Sequence, residues 1–240
     1  MRFIIIHRTN AHWEAGAVPG PDLLTRVGTL IQRMSQAGVL EGAEGLRPSS
    51  EGVRLDFASG ECRITPGPLD GTNDLPAGFT IVQAETLNEA IEWATRHHAS
   101  FEDAAVDIRP VTEPWDIGLA DPPPDIATRR YMIVRRSTPA TEAGEAPASP
   151  QRSALTRAIE EATRRGVHVA TEHIRPTRRG RRYRNSRDGI GVYDGPFVET
   201  KELIGGYVIV SCLSLEEADR WAREYIRAVG AEEVDLRELE

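Results

Sequence analysis

The residues best suited to chemistry in this chain lie in one stretch: Tyr193-Asp194-Gly195-Pro196-Phe197, followed by Glu199, Lys201 and Glu202. Carboxylates beside a lysine could act as acid/base groups, or could hold a cationic or hydroxylated ligand. Adding Glu172 and Arg175 gives a candidate ligand-binding set of Asp194, Glu172, Lys201, Glu202 and Arg175, with Asp194 and Glu172 as the acid/base candidates. A purely structural reading of the same string is a strand-to-loop corner. Gly195 supplies backbone freedom, Pro196 fixes the next φ, Phe197 anchors the corner in apolar packing, and Asp194 bonds nearby amides.

Other reactive residue types form weaker patterns. Arg175 to Arg187 reads RPTRRGRRYRNSR, an arginine-rich ribbon that could contact phosphates. The competing reading pairs this charge with the chain's own acidic residues, of which Glu232, Glu233, Asp235, Glu238 and Glu240 close the sequence. Self-pairing is preferred, then an acidic protein partner, then nucleic acid, because a formal net charge of −8 argues against a general nucleic-acid binder. His7, His12, His97, His98, His168 and His173 share no metal-ligand spacing, so no metal is expected. His12-Trp13, in the loop after the first strand, is a further pocket candidate. No GxGxxG, P-loop, HExxH or GxSxG string occurs, and no cofactor is expected. Cys62 and Cys212 read as inert thiols.

A hydrophobic fraction of 40% and a charged fraction of 28% are those of a globular protein. The apolar runs, such as Phe3 to Ile6 and Tyr207 to Val210, are too short to span a bilayer, and the expected location is cytoplasmic. A shift of 128 positions carries Glu14-Ala15-Gly16 onto Glu142-Ala143-Gly144, and Gly38-Val39 onto Gly166-Val167. The same shift carries Glu44 onto Glu172, Arg47-Pro48 onto Arg175-Pro176, and Gly67-Pro68 onto Gly195-Pro196. Trp93-Ala94 falls on Trp221-Ala222, Val106-Asp107 on Val234-Asp235, and Arg109 on Arg237. A register held this long without a gap predicts a tandem duplication, with domains at 1–118 and 129–240 joined by a proline-rich spacer at 119–128.

Within one copy, Arg2 to Arg8 suits a buried strand, and Leu23, Val27, Leu30, Ile31 and Met34 recur at helical spacing. Val53 to Phe57 and Cys62 to Ile64 read as a hairpin, Gly78 to Gln83 as a strand, Leu87 to Ala94 as a second helix, and Val106 to Val111 as the closing strand. The order β-α-β, hairpin, β-α-β predicts a ferredoxin-like α+β domain with two helices on one sheet face. Its other face is expected to meet the second copy as an intramolecular pseudo-dimer, and pairing between chains stays open.

The string DGPF at Asp194–Phe197, then Glu199-Thr200-Lys201-Glu202 and the Gly205-Gly206-Tyr207 strand, resembles the DGPF branch of the YCII-related family. Glu44-Gly45-Leu46-Arg47-Pro48 and Ile108-Arg109-Pro110-Val111 in the first copy are similar to family sequence too. The resemblance implies the dimeric α/β-barrel form of the ferredoxin-like fold, with the candidate residues at one barrel mouth. It also implies a partner of the kind associated with extracytoplasmic-function sigma factors. Other YCII proteins carry a proposed His and Asp pair with the His near the start of the first helix. This chain has no His between Pro19 and Gln36 or between Pro147 and Arg165, so that pair does not transfer. The first copy has Pro66, Leu69, Gly71, Asn73 and Asp74 where the second has Asp194, Phe197, Glu199, Lys201 and Glu202. The pocket is therefore expected in the second copy. The preferred function is a small-molecule-binding or regulatory module. The alternatives are a cofactor-free lyase, isomerase or oxidoreductase, and a protein-interaction role beside a sigma factor.

Overall fold

The computed structural model of the chain describes residues 1–58, 60–71, 75–98, 105–145, 148–197 and 203–240. In the first half, strand β1 (Arg2–Arg8) leads into the one-turn helix α1 (Ala11–Glu14), α2 (Pro21–Gln36) and β2 (Leu40–Gly45). The hairpin β3 (Val53–Ala58) and β4 (Glu61–Pro66) follows, then β5 (Pro76–Ala84), α3 (Leu87–His98) and β6 (Ala105–Pro110). The second half repeats the order with β7 (Arg129–Arg136), α4 (Pro139–Ala143), α5 (Ser149–Arg164), β8 (His168–His173), β9 (Gly180–Ser186) and β10 (Gly189–Asp194). It closes with β11 (Ile204–Ser211), α6 (Leu215–Val229) and β12 (Glu233–Glu238). The shift of 128 carries α2, β2, β4 and β6 residue for residue onto α5, β8, β10 and β12. No described helix is long and apolar enough to cross a membrane.

The sheets do not follow the halves. One six-stranded sheet has the order β10-β9-β12-β1-β11-β2 and the other β4-β3-β6-β7-β5-β8, with antiparallel neighbours throughout. Each contains the ferredoxin-like order 4-1-3-2, extended at one edge by a hairpin. The opening β-α-β of each half is completed by the closing β-α-β of the other. β1, for example, lies between β11 and β12, with Ile5 opposite both Val208 and Leu236. The expectation that each copy would close its own sheet is corrected here. Alternating apolar residues specify which face of a strand is buried, and any strand of matching pattern can satisfy that demand.

Alternation along the apolar N-terminal run feeds two different cores. Phe3 and Ile5 face outward and pack with Met34 of α2, Tyr225 and Ile226 of α6, and Val208. Ile4 and Ile6 face inward and meet Phe79, Ile81, Met132 and Val134 of the other sheet, with Tyr207 and Ile209. The other outer face holds Leu55, Val82, Ile108 and Ile133 under Ala90, Trp93 and Ala94 of α3 and Ala162 of α5. The result is helices outside, two sheets back to back within, and one apolar layer shared between the sheets.

Buried and partly buried ion pairs recur in both halves, and some of them join the halves. Asp235 of β12 accepts hydrogen bonds from Arg8 of β1 and Arg182 of β9, both at 2.7 Å, and none of the three side chains is more than 3% exposed. Burial pushes the Asp235 carboxyl up, but the adjacent Arg8 and Arg182 more than offset this and hold it below the usual carboxylate range. Arg54 and Asp107 form the equivalent pair in the other sheet. Arg109 with Glu14 matches Arg237 with Glu142, and Arg130 with Glu44 matches Arg2 with Glu172. Many of the identities that align the halves are therefore members of these pairs.

Residues 121–127 of the spacer are exposed and lie in neither helix nor strand. Engineering a protease site there and cutting it should leave the halves co-eluting in size-exclusion chromatography, because every sheet uses strands from both. Asp235→Ala strands two buried guanidinium groups and should lower the unfolding free energy by about 3–5 kcal/mol in denaturant titrations.

Candidate functional site

A cavity of about 540 Å³ opens where β1 and β2 end, α2 begins and α6 finishes. Its volume lies in the range of pockets that hold small organic molecules. Both halves build it. His7, Trp13, Leu23, Val27 and Glu44 come from the first, and Tyr207, Tyr225 and Val229 from the second. Thr112, Pro114, Asp116 and Leu119, which lead into the spacer, close one side. Val18 and Leu119 are exposed apolar residues on its rim.

The helix-facing side of the sheet forms the floor, and its small residues make the space. Directly paired residues share a face, so His7, Gly206 and Gly45 form one row and Ile5, Val208 and Ala43 the next. The His7 imidazole lies flat over the Gly205-Gly206 backbone. A Cβ on Gly205 would sit 2.8 Å from the ring and one on Gly206 would sit 2.7 Å from it. The His7 ring thus crowds both glycines of the Gly-Gly-Tyr string, and at Gly206 the Glu44 carbonyl oxygen, 2.6 Å from such a Cβ, closes the space as well. Under the shift of 128, Thr171, His173 and Arg135 stand where this end has Ala43, Gly45 and His7. Those larger side chains are engaged with one another and their neighbours: Thr171 bonds Thr80 and His168, and Arg135 contacts His173.

His7 is held as a neutral base. Its Nδ1 is 2.8 Å from the hydroxyl of buried Tyr225. Burial, reinforced by the charges of Arg8 and Arg109, lowers its pKa to about 4. Burial likewise pushes the Tyr225 and Tyr207 phenols up, so both stay protonated near neutral pH. Glu44, also raised by burial, is engaged by Arg130, which in turn grips Glu113 at 2.8 and 2.9 Å. Asp116 caps its own turn and pairs with Arg129, and Arg47 forks onto Glu51.

The residues singled out from sequence lie elsewhere. Asp194 stands at the end of edge strand β10 with its side chain 80% exposed, paired with Arg181 at 2.9 Å. Glu172 is on edge strand β8 of the other sheet, where Arg2 grips both carboxylate oxygens at 2.6 and 2.8 Å. Arg175 leans toward Glu238, 3.4 Å away. None of the three lines the cavity. Lys201 and Glu202 lie outside the described residues. Glu44 and Arg47, the register mates of Glu172 and Arg175, do line it, and so does Trp13. His7, Tyr225 and the small floor were missed. The available signal was the contrast between copies at Ala43/Thr171, Gly45/His173 and His7/Arg135, read along strands instead of at the DGPF corner.

That corner has a structural role. A Cβ on Gly195 would sit 1.8 Å from the Thr177 carbonyl oxygen, so the glycine is required by close approach of two backbones. Phe197 lies under the Arg182 guanidinium at 4.4 Å. The arginine ribbon is largely engaged with acidic strand β12 and its surroundings: Arg179 with Glu238, Arg182 with Asp235, Arg184 with Glu233, and Arg181 with Asp219 as well as Asp194.

His7 predicts a pH effect. Its folded pKa lies below the ordinary value near 6.5, so the unfolded chain binds the extra proton. Stability is full above that value and falls as pH drops toward 4. His97, His168 and His173 are lowered in the same direction, so the contribution of His7 is read as a difference. Between pH 7 and 4, His7→Gln should lose roughly 2–3 kcal/mol less stability than the unsubstituted protein, measured by urea unfolding.

No curated protein and no solved structure matches the chain. The matched segment contains strands of both sheets, since β7 and β8 belong to one and β9 to β12 to the other. Within this chain, residues 130–240 match the family model described as the YCII-related domain, whose fold is ferredoxin-like.

Proposed function

We propose that the chain is an intramolecular pseudo-dimer made by duplication of a YCII-related unit of the DGPF branch. In this reading it is a small-molecule-binding module whose site is the cavity between α2, α6 and the floor of Ala43, Gly45 and Gly205. The observation that carries the reading is the asymmetry of the two ends. Ion pairs and elements recur at a shift of 128, whereas Thr171, His173 and Arg135 replace the residues that leave this end hollow. A wall with an apolar stretch of Leu23, Leu24, Val27, Ile31 and Val229 beside polar groups such as His7 and Asn10 suits a largely apolar ligand with one hydrogen-bonding end.

A second reading, cofactor-free proton transfer, moves from Asp194 and Glu172 to His7. His7 lines a cavity and keeps a neutral ring, but a pKa about 3 units below neutrality makes it a weak base, which favours binding over catalysis.

The test fills the floor with the residues of the other end. Ala43→Thr with Gly45→His should keep the melting temperature within a few degrees. It should also weaken 1:1 binding of the fluorescent probe 1-anilinonaphthalene-8-sulfonate by at least about tenfold. Equal probe binding by the two proteins would remove the cavity as the site.

A further inference from the structure

The cavity's polar groups point to the class of molecule it takes. This inference rests on the binding reading above. Of the acidic side chains on the wall, Glu44 is engaged by Arg130, and Asp116 by Arg129 and its own turn. Glu232 is exposed at the rim. Donors are differently placed. Asn10 spends its Oδ1 on the backbone amides of His12 and Trp13, so its Nδ2 is left for an occupant. The Trp13 indole N–H has no partner among the described residues. In the tautomer in which the Tyr225 hydroxyl donates to Nδ1 of His7, Nε2 carries the ring proton and is a further donor.

The field at His7 has a sign. Burial of the ring comes first, and beside it the charges of Arg8 and Arg109, themselves paired with Asp235 and Glu14, disfavour a further positive charge. A cationic group brought there would be repelled and desolvated together, while an anionic oxygen would be attracted and would find donors. We infer that the occupant is an apolar organic acid, with its carboxylate at the His7 end and its hydrocarbon body along Leu23, Val27, Ile31 and Val229.

Three ligands of equal chain length separate the possibilities at neutral pH. Isothermal titration calorimetry with octanoate, 1-octanol and octylamine, each below its aggregation limit, should rank octanoate first and octylamine at least about tenfold weaker. His7→Phe should bring octanoate and octylamine within about threefold of each other. His7→Gln, which keeps a donor, should preserve most of the preference. Circular dichroism melts of both variants establish that the fold is retained. Octylamine binding as tightly as octanoate would overturn the inference, and so would a preference unchanged in a folded His7→Phe protein. Equal binding of octanoate and 1-octanol would overturn the acid while leaving the cavity as a binding site. Binding of none of the three would overturn both readings.

Discussion

Strand β1 is hydrogen-bonded on both edges by strands from the far half of the chain. Its seven residues lie between β11 and β12, so the N-terminal run is enclosed only by the C-terminal end of the sequence. The same demand repeats for β7 between β5 and β6. Once both are met, everything else is constrained. The helices that follow β1 and β7 are laid over helices of the opposite half, and the inward residues of the two sheets close a common layer. Neither half can be removed without exposing unpaired strand edges and an apolar face, which is a costly state for a polypeptide in water.

The exchange also explains where charge is buried. Arg8 enters the second half's sheet on β1 and meets Asp235 there, and Arg130 leaves the second half on β7 to meet Glu44. Such pairs contribute modestly to net stability, since desolvation opposes the Coulombic gain, but each leaves an uncompensated charge if its partner is displaced. Arg8 with Asp235 ties neighbouring strands β1 and β12 together, whereas Arg130 with Glu44 ties β7 to β2 of the opposite sheet. The two ends of this frame differ in their lining. At one end stand Arg135, His173 and Thr171. At the other, two glycines under His7, with Ala43 and Gly45, leave it hollow.

This division of labour separates the DGPF corner from the cavity. The corner joins backbone to backbone at Gly195 and Thr177 and places an aromatic ring under a buried arginine, which is scaffold work. The cavity depends on what β1 and β2 carry at their ends. A conspicuous string can thus mark a joint of the fold, while the residues that line the cavity lie elsewhere.

Sequence alone determined the element order, the repeat at a shift of 128 and the columns that matter. Glu14, Glu44, Arg47, Asp107 and Arg109 were visible as aligned identities, and the unbroken apolar run of Phe3 to Ile6 marked a buried strand. These features are local or depend only on comparing one half with the other. Tertiary structure decided which strand pairs with which, which copy of each column faces a cavity, and that Asp194 points to solvent while His7 is enclosed. Pairing between strands of like pattern is degenerate in sequence and is resolved only by the summed burial and charge matching of the whole chain. A cavity, likewise, is made by the side chains that are too small to fill a space, and that space exists only after the strands have been placed.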